Sequence, residues 1–365
     1  MKRTLFVACP LVLLLLVTAF ARPATNDRTD VTVHEWGTFT SVAGEDGMPV
    51  PWANFTASQD LPCFVYNFGG VKWSVPGTVR METPVLYFYS PNESSENVKV
   101  SFPKGTITEW YPKESQIRQN NLIEWQNVKV SPKARPEFPV EQGASHYYAA
   151  RQTEAAPLQV GSQTEKFLFY RGVGTFPLPI SAQTTSEGRI LVKNLGSQPM
   201  DGLIVFDNHS GKRRYALVGT LKDQTTVNLE SLQDNWAGML MDLEQVLVSQ
   251  GLYQKEARAM IETWRDSWFE DGTRLLYIVP RQAVDGILPL EIQPSPAQIS
   301  RVFVGRMEIV TPATQQDVRE ALASNDRAVL EKYGRFLSAI SNRIGVKNSL
   351  LDSVYLTNSV PHCSR

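Results

Sequence analysis

No surplus of basic charge marks this sequence: 36 Lys and Arg stand against 37 Asp and Glu, a formal net charge of −1. That excludes a nucleic-acid partner, whose phosphates call for a strongly basic face, and equally a protein held electrostatically on a membrane surface. Cysteine is scarce. Cys9, Cys63 and Cys363 are the only three in 365 residues, too few for a disulfide scaffold or a thiolate metal cluster. The four histidines, His34, His146, His209 and His362, show neither His-x-x-x-His nor His-Glu-x-x-His spacing, so no metal is expected. The remaining metal arrangement to weigh is a mixed site in which His34 and His146 meet Glu35 or Glu82. There is no Gly-x-Ser-x-Gly elbow, no cofactor motif, no internal repeat and no low-complexity tract. Gly172-Val173-Gly174 lacks a third glycine and a following helix, and reads as a turn or bulge.

Long apolar runs are confined to the start. Lys2 and Arg3 precede an apolar stretch from Leu5 to Val17, and Ala19-Phe20-Ala21 follows with the small-x-small pattern of a cleavage site. Residues 1–21 thus read as a secretory signal peptide. The rival, an uncleaved anchor, needs about 20 spanning residues, and Leu5 to Ala21 is shorter. Cleavage would leave 344 residues beginning at Arg22, with 34 basic against 37 acidic side chains once Lys2 and Arg3 are gone. The expected address is periplasmic or extracellular. Cys9 leaves with the leader and lies ahead of its Leu-rich run, which disfavours a lipoprotein. Cys63 and Cys363 remain, an even number in an oxidising compartment, and are expected to pair. Asn54, Asn92 and Asn208 begin Asn-x-Ser/Thr triplets that matter only in a glycosylating host.

At 42% hydrophobic and 20% charged residues, the chain is globular rather than disordered. From Val31 to Leu229 it alternates strand-like runs with turns such as Ser90-Pro91-Asn92 and Pro103-Lys104-Gly105. The strand candidates are Val31–Val42, Val79–Tyr89, Val98–Tyr111, Leu122–Val130, Lys166–Val173, Arg189–Asn194, Gly202–Asp207 and Arg213–Gly219. After residue 230 helical spacing takes over in Ser231–Gln250 and Gln254–Glu270, the second with an Arg258–Glu262 pair on its outer face. Strands return at Arg274–Val279 and Arg301–Val310. Two more helices follow, from a capping-box-like Thr314-Gln315-Gln316-Asp317 and from near Asp326. The expected fold is mixed and β-rich: a β-sandwich-like domain over 22–229, then an α/β domain with about four helices over 230–365, separate or sharing one sheet.

Chemistry concentrates at Val33-His34-Glu35-Trp36-Gly37-Thr38. On a strand Val31, Val33, Glu35 and Phe39 share one face and Thr32, His34, Trp36 and Thr38 the other. Glu35 thereby enters an apolar row, where burial without a cation would favour its protonated form and suit it to general acid work; pairing with an arginine would make it structural. Glu109 occupies a similar row between Ile107 and Tyr111. If the two converged within about 5 to 10 Å they would form a glycosidase-like pair. His34, Trp36, Trp110 and Tyr111 are candidate ligand-binding side chains, with Trp110-Tyr111 at a strand end before Pro112 the best-placed rings for stacking on a sugar.

The blocks Val31–Thr40 (VTVHEWGTFT), Met81–Tyr89 (METPVLYFY), Ile107–Pro112 (ITEWYP) and Phe167–Gly174 (FLFYRGVG) resemble those of a group of uncharacterised exported bacterial proteins. The similarity continues through Glu262–Phe269 and covers most of the mature chain. It implies bacterial origin and one co-evolved unit, and brings no catalytic residue with it. The leading expectation is an exported soluble protein that binds a small molecule, a glycan or an envelope component without catalysis. The alternative is a secreted hydrolase of polysaccharide or another surface polymer, acting through Glu35 and Glu109. A structural role in the envelope is the third.

Overall fold

The computed structural model describes residues 28–52, 61–67, 77–142, 145–209 and 211–346; the leader, Asn54, His362 and Cys363 lie outside them. Strands dominate. Nine form one sheet, in spatial order Lys212–Leu221, Met200–His209, Gly272–Ile278, Ser295–Ile309, Arg28–Ala43, Val79–Tyr89, Leu168–Gly174, Gly105–Tyr111 and Tyr66–Asn67. Arg28–Ala43, rich in Val, Thr and aromatic residues, sits near its centre, parallel to Ser295–Ile309 and antiparallel to Val79–Tyr89. The sheet therefore takes strands from both sides of residue 230.

A six-stranded and a three-stranded sheet cover one face of the large sheet. Val33, Phe39, Leu86 and Phe303 interdigitate there with Val100, Ile123 and Trp125 of the first and Ile180, Ile190 and Val192 of the second. This is the β-sandwich that period-two patterning implies. Gly172 marks the expected bulge: the register with both neighbours shifts at this point, and a Cβ on it would lie 2.5 Å from the Thr106 carbonyl oxygen.

Five helices occupy the opposite face, α1 (Trp236–Ser249), α2 (Gln254–Trp268), α4 (Pro312–Ser324), α5 (Arg327–Tyr333) and α6 (Leu337–Ile344), while α3 (Arg281–Ile287) packs on the sandwich side. Among the described residues there are six rather than four, because Gly334 breaks the last helical stretch and the short α3 follows Pro280. The caps explain the starts. Asn235 Oδ1 accepts from Gly238 N at 2.9 Å and Asp326 Oδ1 from Val329 N at 3.1 Å. For α4 the cap is Thr311, whose Oγ1 accepts from Thr314 N at 3.2 Å, with Pro312 in the first turn; Thr314 is inside the helix, not at its start. α2 buries Met260, Ile261, Trp264 and Trp268 against Trp36, Val302 and Val304, each side chain contributing about 1.5–3 kcal/mol. The expected Arg258–Glu262 pair does not form: Arg258 reaches across to Glu244 of α1, and Glu262 pairs with Arg265. No helix among the described residues is long and apolar enough to cross a membrane.

Candidate functional site

Glu35 lies between Arg301 on its parallel neighbour and Leu86 on its antiparallel one. It is fully buried. Oε2 accepts from Arg301 Nε at 2.5 Å and Oε1 from the Tyr170 hydroxyl at 2.5 Å, while Arg301 Nη1 donates to Asp285 Oδ1 of α3 at 2.7 Å. Burial, reinforced by the Glu35 charge, keeps the proton on Tyr170. Both carboxylate oxygens are thus engaged by fixed donors, and neither is left for a leaving group. The general-acid expectation gives way to a buried ion pair.

Glu109 does not join it. Tyr170 stands opposite Trp110 and Arg171 opposite Glu109 in the same ladder. Because successive residues alternate faces, Glu35, bonded to Tyr170, and Glu109, facing Arg171, are on opposite sides of the sheet. Three strand spacings of about 4.8 Å separate them, roughly 14 Å before any offset along the strands. A hydrolytic carboxylate pair at these two positions is excluded by that arrangement.

The other sequence-selected residues are interior. His34 Nδ1 donates to Glu256 Oε2 at 2.7 Å, and the same oxygen accepts from Tyr253 N at the start of α2 at 2.8 Å. His34 therefore ties the central strand to a helix terminus, packed between Tyr89 and Tyr253. His146 pairs with Asp266 and Glu82 with Arg335, so the mixed histidine–carboxylate site is not assembled. Among the described residues no group of three His, Cys, Asp or Glu side chains is placed to hold a metal. Trp36 is wholly buried, and Trp110 and Tyr111 are 5% and 3% exposed, which corrects the expectation of a solvent-facing pair.

A seam of charge that sequence reasoning missed runs across the helix-facing side of the sheet. Glu82 accepts from Thr40 Oγ1 at 2.9 Å and from Arg335 Nη1, and Arg335 Nη2 donates to Ser267 Oγ at 2.7 Å. Arg306 Nη2 bridges Glu270 (2.6 Å) and Glu308 (3.1 Å). Arg274 donates to Glu308 and to the carbonyls of Trp268, Glu270 and Asp271, closing the C-terminus of α2. Burial, aided by Arg171, lowers Arg80 to about 10; burial, aided by Arg274, does the same to Arg306. Beside them Thr83 holds φ 46, an outlier for a β-branched residue that costs about 1–3 kcal/mol, with Arg171 Nη2 on its hydroxyl at 3.1 Å. A sequence signal existed: Arg80-x-Glu82 and Arg306-x-Glu308 are same-face charges inside apolar strands.

Among the described residues three grooves stand out. One of about 790 Å³ lies between α1, α2 and the turn His146–Arg151, but its arginines, glutamates and histidine are paired with one another or with Asp266. A second, about 270 Å³, is ringed by carboxylates around His209. Burial would raise Asp207, yet hydrogen bonds from His209, Thr273 and Arg214 hold it down to about 2; its hydrogen bond in turn raises His209. The third, about 510 Å³, is lined by Tyr66, by the amides of Gln126, Asn127, Gln159 and Gln163, and by the charged Lys113, Lys129 and Glu114. Tyr66 is half-buried and packs near-parallel to both Trp110 and Tyr111. The sequence picked Trp110 and Tyr111; Tyr66 sits in a strand of two residues that no periodicity reveals.

No protein-family model matches the chain, and no curated protein matches it. Among solved structures it is similar to the Fcho1 Mu homology domain of Danio rerio, solved with a bound Eps15 peptide, at TM-score 0.32 and 8% identity over 78% of this chain and 98% of that one. The yeast delta-COP-I mu-homology domain gives TM-score 0.32 and 8% identity over 76% and 96%. Likeness at this level defines neither a family nor a partner.

Proposed function

We propose that the protein is exported and binds an envelope ligand without transforming it, using the groove beside Tyr66. The observation that supports this reading is the groove itself, which brings Tyr66, Lys113, Lys129 and the amides of Gln126, Asn127 and Gln159 to one place at the sheet edge, while the carboxylates that could have hydrolysed a polymer are spent in ion pairs or lie on opposite faces. Titration calorimetry of the secreted protein against peptide, lipid and glycan fractions of a bacterial envelope tests it. Heat on adding one fraction, with the fraction's mass spectrum unchanged, is the expected result. New product masses, or no heat from any fraction, would overturn it.

Export itself is part of the proposal, with Arg22 as the first mature residue and Cys63 bonded to Cys363. The latter closes a loop of about 300 residues, for which the chain-entropy model gives roughly 5 kcal/mol as an upper figure. One intact-mass measurement on unreduced, alkylated material reads both: loss of residues 1–21 and no alkyl adduct. A retained leader or alkylated thiols would refute the respective claim.

A further inference from the structure

We infer that the groove around His209 is a second binding site, one that takes an alkylammonium group: four carboxylates draw its charge, and Asn208 Oδ1 accepts one of its N–H bonds. The site is separate from the groove beside Tyr66, and neither reading depends on the other.

Three segments bring the carboxylates together. α4 presents Asp317 and Glu320 one turn apart on the same face. Asp326 caps α5, Asp271 precedes the strand Gly272–Ile278, and all four line a space of about 270 Å³. Each already has one partner. Asp317 Oδ2 accepts from the Tyr333 hydroxyl at 2.8 Å, Asp326 Oδ1 from Val329 N at 3.1 Å and Glu320 Oε1 from Gln316 Nε2 at 2.5 Å, while Asp271 Oδ2 lies 3.7 Å from Lys332 Nζ. A carboxylate has two oxygens, each able to accept more than once, so the second oxygen of each acid remains. Lys332 is the one ammonium in the lining, and a single cation does not balance four anions.

The strand end beneath them supplies an independent observation. Asn208 and His209 close the strand Met200–His209 and line the same groove. Asn208 is 4% exposed; its Nδ2 donates to the Phe269 carbonyl at 3.1 Å, and its Oδ1, buried with it, has no donor. A buried acceptor left unmet costs about 1–3 kcal/mol, a deficit that a donor entering the groove removes. His209 adds a second. Nδ1 lies 2.9 Å from Asp207 Oδ1 and donates to it, so in the neutral ring Nε2 is a lone pair without a partner. The unmet groups of this groove are therefore acceptors, and the ligand that matches them only donates. An ammonium points three N–H bonds at acceptors on different elements, whereas a planar guanidinium favours a carboxylate with both oxygens free. A metal ion fits less well, since among the described residues no three His, Cys, Asp or Glu side chains are placed to hold one.

The test is calorimetry of the full mature protein at low salt and pH 9, where alkylamines are still protonated. The probes are 1,4-diaminobutane, the uncharged 1,4-butanediol and the peptide acetyl-Gly-Lys-Gly-amide. At least one amine is expected to bind and the diol is not; tighter binding of the diamine points to a free amine as the ligand, tighter binding of the peptide to a lysine side chain. Added salt should weaken binding, because the rim carboxylates are exposed. Asp317→Asn combined with Glu320→Gln keeps the shape and should weaken binding about tenfold. Lys332→Gln removes the competing cation and should tighten it about threefold, a sign that a merely structural role would not give. Asn208→Leu should weaken it about fivefold, with circular dichroism melts to show that each variant is folded; the exposed substitutions decide the matter if this buried one is not. Diol binding equal to that of the diamine overturns the inference. So does the absence of heat from both amines, or amine binding unmoved by the double substitution. None of these results touches the groove beside Tyr66.

Discussion

Toward the smaller sheets, the large sheet buries Glu35 and Arg301 as a pair of charges amid apolar side chains; toward the helices, it buries a connected seam of arginines and glutamates. The same strands supply both. The difference lies in what is packed on top. A covering sheet brings its backbone already hydrogen-bonded within itself, so its inner face asks only for apolar side chains. A covering helix brings an end, with carbonyls that lack partners. Arg274 serves α2 in this way, and each guanidinium so used needs carboxylates nearby, which need further donors. One unmet helix end thus propagates a network, whereas the sandwich side holds the Glu35–Arg301 pair, closed by Tyr170 and Asp285, and the separate carboxylate of Glu96, which burial holds above its ordinary range.

Breaking the isolated pair should have the largest effect. Arg301→Met leaves Glu35 buried with Tyr170 as its remaining donor, and should cost about 3–5 kcal/mol in urea unfolding. Adding Glu35→Gln should recover most of that loss; if it does not, the two residues do not act as a unit. The seam should yield less to a single cut, because its members share partners. Arg335→Met leaves Glu82 bonded to Thr40 and 3.6 Å from Arg80, and should cost about 2 kcal/mol. A loss equal to that of Arg301→Met would show that the seam has no redundancy.

The smallest effect belongs to the sheet margin, where His209 is partly exposed against buried Asp207. Asp207 is depressed, so its contribution is present above the ordinary carboxylate range and lost as pH falls toward 2. His209 is raised, so its contribution is full below about 6.5 and lost as pH climbs through its elevated value. His209→Gln should therefore destabilise by about 1 kcal/mol between pH 4.5 and 6.5, and by less at pH 9. A difference that grows with pH in thermal melts would contradict the pairing.

Legibility in the sequence followed the range of the interaction. Val79–Tyr89 and Leu122–Val130 have the bounds that their β-branched and aromatic runs suggest. The reading of Val98–Tyr111 as one strand fails at Phe102, whose carbonyl accepts from Gly105 N at 3.1 Å and reverses the chain; the Pro103-Lys104-Gly105 turn signal was there to be weighted more heavily. The anomaly of Glu35 in an apolar row was visible, but its partners come from 135 and 266 positions away, and no local pattern carries such separations. Arg301, beside Val302-Phe303-Val304, was an equal anomaly, and two charges misplaced in apolar strands are a hint of each other. The groove beside Tyr66 was half legible: Trp110 and Tyr111 locate the edge, but the bulge that gathers Gln126 and Asn127 depends on Asn97, a long-range pairing.

The parallel union of Arg28–Ala43 with Ser295–Ile309 sets a timetable for the nascent chain. Synthesis delivers the central strand first and its partner some 260 residues later, so for most of that interval Val31, Val33 and Phe39 belong to a strand with one open edge. An unpaired edge of this kind invites other chains. The molecule is therefore most vulnerable to aggregation while it is being made, and a chain ended before residue 295 should persist in that exposed state however complete its sandwich looks.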